Sequence, residues 1–414
     1  MKKGNTCKVV SLFFVSWIFS ALTFAGEIDI LVQKLVEKGV LSHGQAQQII
    51  TETKEEIRKE NAKGTNESLP KWLQNMKLKG DLRARYQWED KTNTEDRHRG
   101  RYRFRLGVEG KVNDKLTVAA GLATGADDAR STNQEMTGAF SSKDIKLDYA
   151  FAEYLAAPWA TLKMGKIASI KDVLFRPSDL LWDSDINPEG LTVQLTKKVN
   201  DNLELFMNDS IWVLDESSSD TSDPFMLAFQ PGFNYKISEN VNLKAGIAGY
   251  IFENVKGSSI NNGKDTTGSY NTTSGGNLVY NYNSISPSLE LGINEPFGGL
   301  VPYLGFFGDY VYNPDPGTNN KGYLFGLKFG AKKIVNAGDW QTQYMYRKLE
   351  KDAWLDIFPD SDFYGGHTDV KGHEIIFEYG LSKNTSIGLD YYSTERIGAD
   401  SQAHVLQLDW MMKF

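Results

Sequence analysis

Two neighbouring segments of this chain carry arginine at every second position. Arg83 and Arg85 lie in the first segment, and Arg101, Arg103 and Arg105 lie in the second. Successive residues of a β-strand point to opposite faces, so this spacing puts all five guanidinium groups on one face of a sheet. Rings of fixed charge set ion preference and orient dipolar solutes, which is the chemistry that such a face could perform.

A second charged stretch, residues 168–188, carries Asp172, Asp179, Asp183 and Asp185. The same stretch also holds six large apolar side chains. They are Val173, Leu174, Phe175, Leu180, Leu181 and Trp182. An exposed loop would gain nothing from so much apolar content, so we expect this loop to pack against an inner wall of the fold.

Acids on an inserted loop that faces a basic wall would create a transverse field across the space between them. We expect Lys163 and Lys166 to join the five arginines in that wall. The alternative is that the arginines only solvate a polar interior and pair with Asp81 and Glu109.

Other residue types with catalytic or metal-binding chemistry are scattered along the chain. The histidines fall in unrelated segments without metal-ligand spacing. They are His43, His98, His367, His373 and His404. No Gly-Xaa-Ser-Xaa-Gly motif and no phosphate loop occur in the sequence. The sequence therefore predicts no metal site and no cofactor, and Ser401 with His404 is only a faint enzyme candidate.

The N-terminus predicts a secretory signal peptide over residues 1–25. A lysine-bearing start precedes an apolar run from Val9 to Phe24, and Ala25 lies at the small-residue position of a cleavage site. The run is shorter than the ~20 residues that cross a bilayer as a helix, which disfavours the alternative of a membrane anchor.

Removal of this signal would leave a chain without cysteine, because Cys7 is the one cysteine present. The mature chain would then form no disulfide and no cysteine metal site. The signal contains three lysines and no acids, so the formal net charge would change from -7 to -10. A charge of this sign disfavours nucleic acid as a partner.

The rest of the chain divides into three zones. Residues 26–62 show helical spacing, with Ser42 placed to cap a second helix, and predict either a solvated helix pair or a short coiled coil. Residues 64–76 are predicted as a linker. From residue 77 to residue 414 the apolar period is two, which predicts β-strands.

Sixteen candidate strands follow from this period. They are 77–90, 99–112, 115–125, 145–156, 159–167, 189–199, 202–214, 225–237, 240–253, 284–294, 299–311, 321–334, 338–350, 371–381, 384–395 and 401–414. The pattern is weakest in 202–214 and 225–237, where we expect a bulge. Tight turns alternate with long loops along the whole series, and the last strand ends on Phe414.

A cleavable signal, a helical segment, alternating strands and a terminal Phe414 together resemble the bacterial outer-membrane putative porin family. The resemblance implies an all-β transmembrane antiparallel barrel over residues 77–414, preceded by a periplasmic helical segment and linker over residues 26–76. It also implies the lipid bilayer of the outer membrane as surroundings, a homotrimer, and barrel-assembly machinery that engages the C-terminal strand.

The resemblance implies a water-filled channel for passive diffusion of ions and small hydrophilic solutes, with loop 168–188 as its constriction. It implies no enzyme activity. Outward aromatic girdles should lie at the membrane interfaces. Their expected members include Tyr86, Trp88, Tyr102, Tyr149, Trp410 and Phe414. Two alternatives stay open, namely a substrate-specific channel for phosphate, a sugar or an organic acid, and a barrel enzyme or adhesin.

Overall fold

The computed structural model describes residues 36, 41–42, 44–49, 51–52, 55, 75–216, 218, 222–265, 270–297 and 301–414. The chain divides into two compact units, residues 1–75 and residues 76–414. The predicted signal peptide lies outside the described residues, as does most of the predicted helical segment 26–62.

A capped helix is present in the N-terminal unit. Residues 44–49, 51 and 52 are helical. The N–H of Gln45 donates to Ser42 Oγ at 3.3 Å, and the N–H of Ser42 donates in return to Gln45 Oε1 at 3.0 Å. This reciprocal capping box satisfies two backbone donors at the helix start, and it confirms the predicted cap at Ser42.

Among the described residues, no helix is both long enough and apolar enough to cross a membrane.

The second unit consists of strands and the loops between them, with a short 3-10 helix at Ile170–Asp172. The strands are β1 (Lys77–Lys91), β2 (Arg97–Lys111), β3 (Leu116–Thr124), β4 (Gln134–Glu135), β5 (Ile145–Ala157), β6 (Ala160–Lys166), β7 (Glu189–Lys198), β8 (Leu203–Val213), β9 (Phe225–Lys236), β10 (Val241–Glu253), β11 (Thr273–Ser274), β12 (Asn277–Leu278), β13 (Ser284–Asn294), β14 (Tyr303–Tyr312), β15 (Lys321–Gly330), β16 (Trp340–Leu349), β17 (Val370–Ser382), β18 (Thr385–Arg396) and β19 (Gln402–Lys413).

Sixteen of these strands form one closed antiparallel barrel within the described part of the chain. Each long strand pairs with its neighbour in sequence, and β1 pairs with β19 from Asp81 opposite Lys413 to Lys91 opposite Ala403. Closure removes the two open sheet edges, which would otherwise expose unpaired backbone groups. The structure confirms the predicted fold class and all sixteen predicted strands.

The two ends of the barrel differ in the length of their connections. Tight turns, such as residues 199–202 and 383–384, join strands at one end. Long loops, such as residues 254–283 and 350–369, join them at the other end. This asymmetry is typical of outer-membrane barrels.

The period of two along each strand separates the two faces of the barrel wall. Along β1, Asp81, Arg83 and Arg85 are buried in the interior, while Leu82 and Tyr86 on the opposite face are exposed. Apolar side chains thus cover the outside and polar side chains line the inside, as expected for a strand between lipid and an aqueous lumen.

The predicted bulge in 202–214 and 225–237 is wrong, because β8 and β9 pair in continuous register. Register shifts occur instead elsewhere, and one lies between Gly121 and Leu122 where β3 pairs with β5. That shift turns Tyr149 into the barrel, although we predicted it on the outer face. The Tyr149 ring occupies space that is free because Gly107 and Gly121 lack side chains.

An apolar core fills one side of the barrel interior. Loops 168–188 and 350–369 fold inward to build it together with residues of loop 254–283, and it packs on the walls of β8, β9, β10, β14, β15 and β16. Trp182 and Trp354 meet edge to face with ring centroids 5.3 Å apart, and Trp354 lies 4.8 Å from the ring of Tyr250. The apolar residues of loop 168–188 therefore pack inside the barrel, as the sequence predicts.

Candidate functional site

Five arginines on β1 and β2 form a basic strip on the inner face of the barrel. We call Arg83, Arg85, Arg101, Arg103 and Arg105 the arginine wall. Arg83 lies directly opposite Arg103 in the strand register, and Arg85 lies directly opposite Arg101. Like charges in opposite positions of a strand pair repel each other, so the wall requires carboxylates between its members.

Two carboxylates, one on β1 and one on the adjacent strand β19, supply part of that compensation. Asp81 accepts hydrogen bonds from Arg103 Nε at 2.9 Å and from Arg105 Nε at 2.8 Å. Asp409 on β19 binds Arg85 through both carboxylate oxygens at 2.7 Å. Bidentate pairs of this kind fix the orientation of the guanidinium plane. Pairing with Asp81 therefore agrees with the alternative interpretation of the arginines.

Glu109, the other expected partner, does not reach the arginine wall. It pairs with Lys79 at 3.4 Å on the neighbouring strand.

One acid of loop 168–188 faces the arginine wall. Asp185 Oδ1 lies 3.4 Å from Arg105 Nη1 and 3.9 Å from Arg103 Nη1. Thr132, on the loop between β3 and β5, holds the other oxygen through its N–H at 3.1 Å and its hydroxyl at 2.9 Å. Burial opposes the charge of Asp185, but Arg103 and Arg105 lower the pKa of its carboxyl below the ordinary value.

The other three acids of this loop point elsewhere. Asp183 accepts the N–H groups of Asp185 at 2.8 Å and of Ser361 at 2.7 Å, and so joins the two inserted loops. Asp179 lies 3.8 Å from Arg347 on β16. The backbone carbonyl of Asp172 accepts a hydrogen bond from Lys163, and the residue is exposed.

The two lysines expected in the wall also have other partners. Lys163 lies 3.4 Å from Glu153 and donates to the carbonyl of Asp172 at 3.1 Å. Lys166 pairs with Glu189 at 2.6 Å on the neighbouring strand.

A second inserted loop, 350–369, supplies an acid that sequence reasoning missed. Asp362 Oδ2 lies 2.9 Å from Arg85 Nη1, and its other oxygen lies 3.9 Å from Arg101 Nη1. Burial works against ionisation here too, yet Arg85 and Arg101 hold the pKa of the Asp362 carboxyl well below its usual range.

The two inserted loops are bonded to each other. Trp354 Nε1 donates to the carbonyl of Leu181 at 2.8 Å, and the N–H of Asp183 donates to the carbonyl of Phe358 at 2.7 Å. Apolar content in a long loop was the available signal for this second insertion. The stretch contains Trp354, Leu355, Ile357, Phe358 and Phe363.

A third loop, between β3 and β5, anchors this assembly through Arg130. Its side chain is fully buried and donates to the carbonyls of Gly366 at 2.6 Å and Asp356 at 3.2 Å. It also binds the carboxylate of Asp265. A buried guanidinium with several acceptors from separate loops holds those loops in one arrangement.

Two cavities lie on either side of a layer formed by Arg85 and Asp409. The cavity nearer the short turns measures about 690 Å³ and is lined by Arg103 and Arg105 among others. The cavity nearer the long loops measures about 260 Å³ and is lined by Arg101, Asp362 and neighbours. Along β1, Arg85 lies between Arg83, which lines the first cavity, and Gln87, which lines the second, so this ion pair lies between the two spaces.

A third cavity of about 620 Å³ lies beside this layer. It shares Asp185 with the cavity at the short turns and Asp128 with the cavity at the long loops. The lining is mixed and includes Thr132, Lys146 and Asn187. The three cavities thus follow one another along the inside of the barrel.

The predicted interface aromatics lie on the outer face of β1, β2 and β19. Tyr86, Trp410 and Phe414 are exposed, whereas Trp88 and Tyr102 are half-buried by their neighbours. Amphipathic rings suit the boundary between lipid and water because one end is apolar and the other can hydrogen-bond.

Comparison with known proteins identifies the family to which this chain belongs. A family model described as "Putative porin" matches residues 88–281 and 277–414. The chain belongs to the putative porin family. The matched ranges contain most of the barrel and both inserted loops, so the porin assignment covers the site described above.

Several solved structures of bacterial proteins have a similar fold. OprB of Pseudomonas putida matches this porin with a TM-score of 0.54 at 10% identity, over 82% of this chain and 94% of that chain. OmpT of Vibrio cholerae, in a trimer form folded in vitro, gives a TM-score of 0.46 at 10% identity, over 82% and 99%. A triple mutant of the Rhodopseudomonas blastica porin gives 0.43 at 11% identity, over 82% and 100%.

A search of curated proteins finds no match to this porin sequence.

Family and fold together establish the setting of the barrel. This porin is a bacterial outer-membrane protein that crosses the membrane with its strands and forms a channel for passive diffusion. Short turns of such barrels face the periplasm and long loops face the exterior. The family and the fold point to a channel and not to an enzyme.

Proposed function

We propose that loops 168–188 and 350–369 together constrict the channel against the arginine wall. The observation that carries this proposal is that each loop contributes one acid to the wall. Asp185 pairs with Arg105 at 3.4 Å, and Asp362 pairs with Arg85 at 2.9 Å. Both loops also bury an apolar face in the lumen, so they remain fixed opposite the wall.

Fixed charges of opposite sign on facing walls produce a field across a narrow pore. The low-dielectric core of the loops on one side strengthens that field, because fewer water dipoles screen it. A dipolar solute entering this region would align with the field, and an ion would meet a sequence of charged groups. Solutes pass beside the Arg85–Asp409 layer, through the three consecutive cavities.

Single-channel recording from the purified protein in a planar bilayer tests this proposal. Replacing the tip of loop 168–188 with a short Gly-Ser linker should raise the unit conductance, since the narrowest part of the lumen would widen. A matched variant that shortens the exposed turn at residues 92–95, between β1 and β2, should leave the conductance unchanged. Unchanged conductance in the first variant would show that this loop is not the constriction.

A substrate-specific channel is the second candidate function. It is favoured by the sizes of the cavities, which range from about 260 Å³ to about 690 Å³ and resemble those of small-molecule sites. Such a channel would show a conductance or flux that saturates with solute concentration. We propose phosphate, a sugar and an organic acid as the solutes to compare. A flux that rises linearly with concentration for all three would favour the general diffusion channel over the substrate-specific one.

The proposal also covers assembly. Residues 1–25 act as a cleaved signal peptide, residues 26–76 as a periplasmic segment, and the mature chain forms a homotrimer. The C-terminal strand β19, which closes the barrel, presents the signal for the assembly machinery. Light scattering of the purified protein in detergent, with and without residues 26–76, measures the oligomeric state directly.

Enzyme activity is not part of this proposal. His404 Nδ1 lies 3.0 Å from the hydroxyl of Tyr391, and Ser401 Oγ accepts a hydrogen bond from Tyr364 at 2.7 Å. The two residues therefore have separate partners, which argues against a nucleophile and base that act together. A hydrolase assay that compares the unmodified protein with His404→Ala tests this point, because a catalytic His404 would make the activity of the variant lower.

A further inference from the structure

Three carboxylates from separate parts of the chain converge inside the barrel. They are Asp179 of loop 168–188, Asp360 of loop 350–369 and Glu374 of β17. One carboxylate oxygen from each residue lies within 4.8 Å of the other two. Nearly two hundred positions of sequence separate the first from the last, so no motif spacing could reveal the cluster.

The carboxylates in this cluster lack the donors that buried acids normally have. Glu374 is only 3% exposed, so its carboxylate is shielded from bulk water. Oδ2 of Asp360 and Oδ1 of Asp179 are buried without a hydrogen-bond donor within the same residues. Buried polar groups are nearly always hydrogen-bonded, so these atoms indicate a partner of another kind.

Among the described residues, Arg347 forms the ion pairs with this cluster, and these pairs compensate only part of the charge. Arg347 lies 3.8 Å from Asp179 and 3.6 Å from Asp360, which is beyond hydrogen-bond length. Its guanidinium stacks on the ring of Phe363 at 3.4 Å, so it is held in place and cannot move deeper into the cluster. If all three carboxylates ionise, Arg347 compensates one of the three negative charges and two are left in a buried space.

We propose that Asp179, Asp360 and Glu374 form a binding site for one divalent cation of the hard, oxygen-preferring class, with Ca²⁺ as the best fit. Two positive charges would neutralise the cluster together with Arg347. The site offers only carboxylate oxygens, which suit Ca²⁺ better than Zn²⁺ or Cu²⁺. Ca²⁺ accepts irregular geometry and completes its shell with water, whereas Mg²⁺ demands a near-ideal octahedron.

The position of the site gives the cation a mechanical role. It would join both inserted loops to each other and to the barrel wall at β17, three strands away from β1 around the barrel. The inserted loops would then be fixed to neighbouring parts of the wall at two points, by the ion pairs of Asp185 and Asp362 with β1 and β2 and by the cation at β17. Cation binding does not depend on the proposed constriction, because it can be measured without any transport.

Calcium binding to the purified full-length protein in detergent tests this inference. After treatment with EGTA and its removal, titration calorimetry with CaCl₂ should show about one Ca²⁺ per chain, and MgCl₂ should bind more weakly. Glu374→Gln should lower the Ca²⁺ affinity on the order of tenfold or more, because affinity in carboxylate sites follows the number of charged ligands.

Glu378→Gln is the matched control, because Glu378 lies on the same strand and accepts a hydrogen bond from Ser386 at 2.8 Å outside the cluster. It should bind Ca²⁺ like the unmodified protein. If Glu374→Gln fails to form a barrel, Asp179→Asn in the less buried loop gives the same comparison. Absence of Ca²⁺ binding, or equal binding by the Glu374→Gln and Glu378→Gln proteins, would overturn the proposal.

A stability measurement adds a readout that separates the cation site from simple charge repulsion. Ca²⁺ should raise the unfolding temperature of the unmodified protein and of the Glu378→Gln protein. It should not raise the unfolding temperature of Glu374→Gln, in which one negative charge has been removed. A Ca²⁺ effect of equal size in all three proteins would place the bound ion elsewhere and overturn the assignment.

Discussion

Phe414 and Gly80 exchange both of their backbone hydrogen bonds. The N–H of Phe414 donates to the carbonyl of Gly80 at 3.0 Å, and the N–H of Gly80 donates to the carbonyl of Phe414 at 2.9 Å. The terminal ring lies over Gly80, where a Cβ atom would come within 2.5 Å of the ring carbon Cζ. The last residue of the chain therefore closes the barrel at a position that only glycine fits.

Gly80→Ala should weaken this closure. The added methyl would meet the Phe414 ring and also the carbonyl oxygen of Arg105 at 2.5 Å, so the backbone has to shift. Overpacking of this kind costs about 1–3 kcal/mol, and we expect the free energy of unfolding in urea to fall by that amount. Gly110→Ala is the control, since a Cβ there meets only Met76 at an ordinary 3.6 Å. Equal stability of the two variants would contradict this account.

The strands could be predicted from sequence because one physical rule acts on all of them. A wall between lipid and water requires alternation at every position, so periodicity alone locates β1 to β19 apart from the short pairs β4 and β11–β12. Tyr149 is a residue for which this alternation rule predicts the wrong face. A single extra residue in β5 reverses the faces, and the signal for it lay in Gly107 and Gly121 on other strands.

The acids of the constriction were predictable only in part. Loop 168–188 could be recognised by its apolar content, but the sequence did not indicate which of its acids faces the arginines. Asp185 does so because Thr132 holds it there, and Thr132 belongs to a different loop. Asp362 was missed because its proximity to Arg85 depends on how loop 350–369 packs on Trp182.

Asp362→Asn should shift the channel toward anions. It removes one negative charge from the constriction and leaves Arg85 paired with Asp409 alone. A unit charge about 8 Å away at an effective dielectric constant of about 40 changes the energy of a cation and of an anion by about 1 kcal/mol each, in opposite directions, so the permeability ratio should change about thirtyfold. Reversal potentials under a salt gradient measure this ratio.

The control for this substitution is Asp201→Asn, which removes a carboxylate at an exposed short turn where Asp201 pairs with Lys198. Its reversal potential should match that of the unmodified protein. A shift of the same size in both variants would mean that overall charge, and not the position of Asp362, sets the preference.

Trp354→Ala should loosen both inserted loops while the barrel persists. Trp354 is fully buried, packs on Trp182 and donates to the carbonyl of Leu181, so its loss removes contacts that both loops share. Truncation of a buried Trp costs about 3–5 kcal/mol. We expect higher and noisier single-channel conductance. Trp159→Ala, at an exposed short turn, should change neither the single-channel conductance nor its noise. A quiet, unchanged channel in Trp354→Ala would show that the two loops hold their positions independently.

The junction of the two inserted loops should respond to pH through Asp183. Burial, with a smaller contribution from Asp185, raises the pKa of the Asp183 carboxyl from 3.8 to about 7. Between these values the folded protein keeps a proton that the unfolded chain has lost. The contribution of Asp183 to the free energy of unfolding is therefore complete below pH 3.8, and it is lost as the pH rises through about 7.

We accordingly expect the unfolding temperature to fall between about pH 4 and about pH 7. Asp183→Asn should reduce this fall, because the amide cannot ionise and its oxygen can still accept an N–H from Asp185 or Ser361. Asp144→Asn, in an exposed part of the loop after β4, should retain the slope of the unmodified protein. If Asp183→Asn kept the full slope, the titrating group would lie elsewhere, and the link between Asp183 and Ser361 would not be the pH-sensitive contact between the loops.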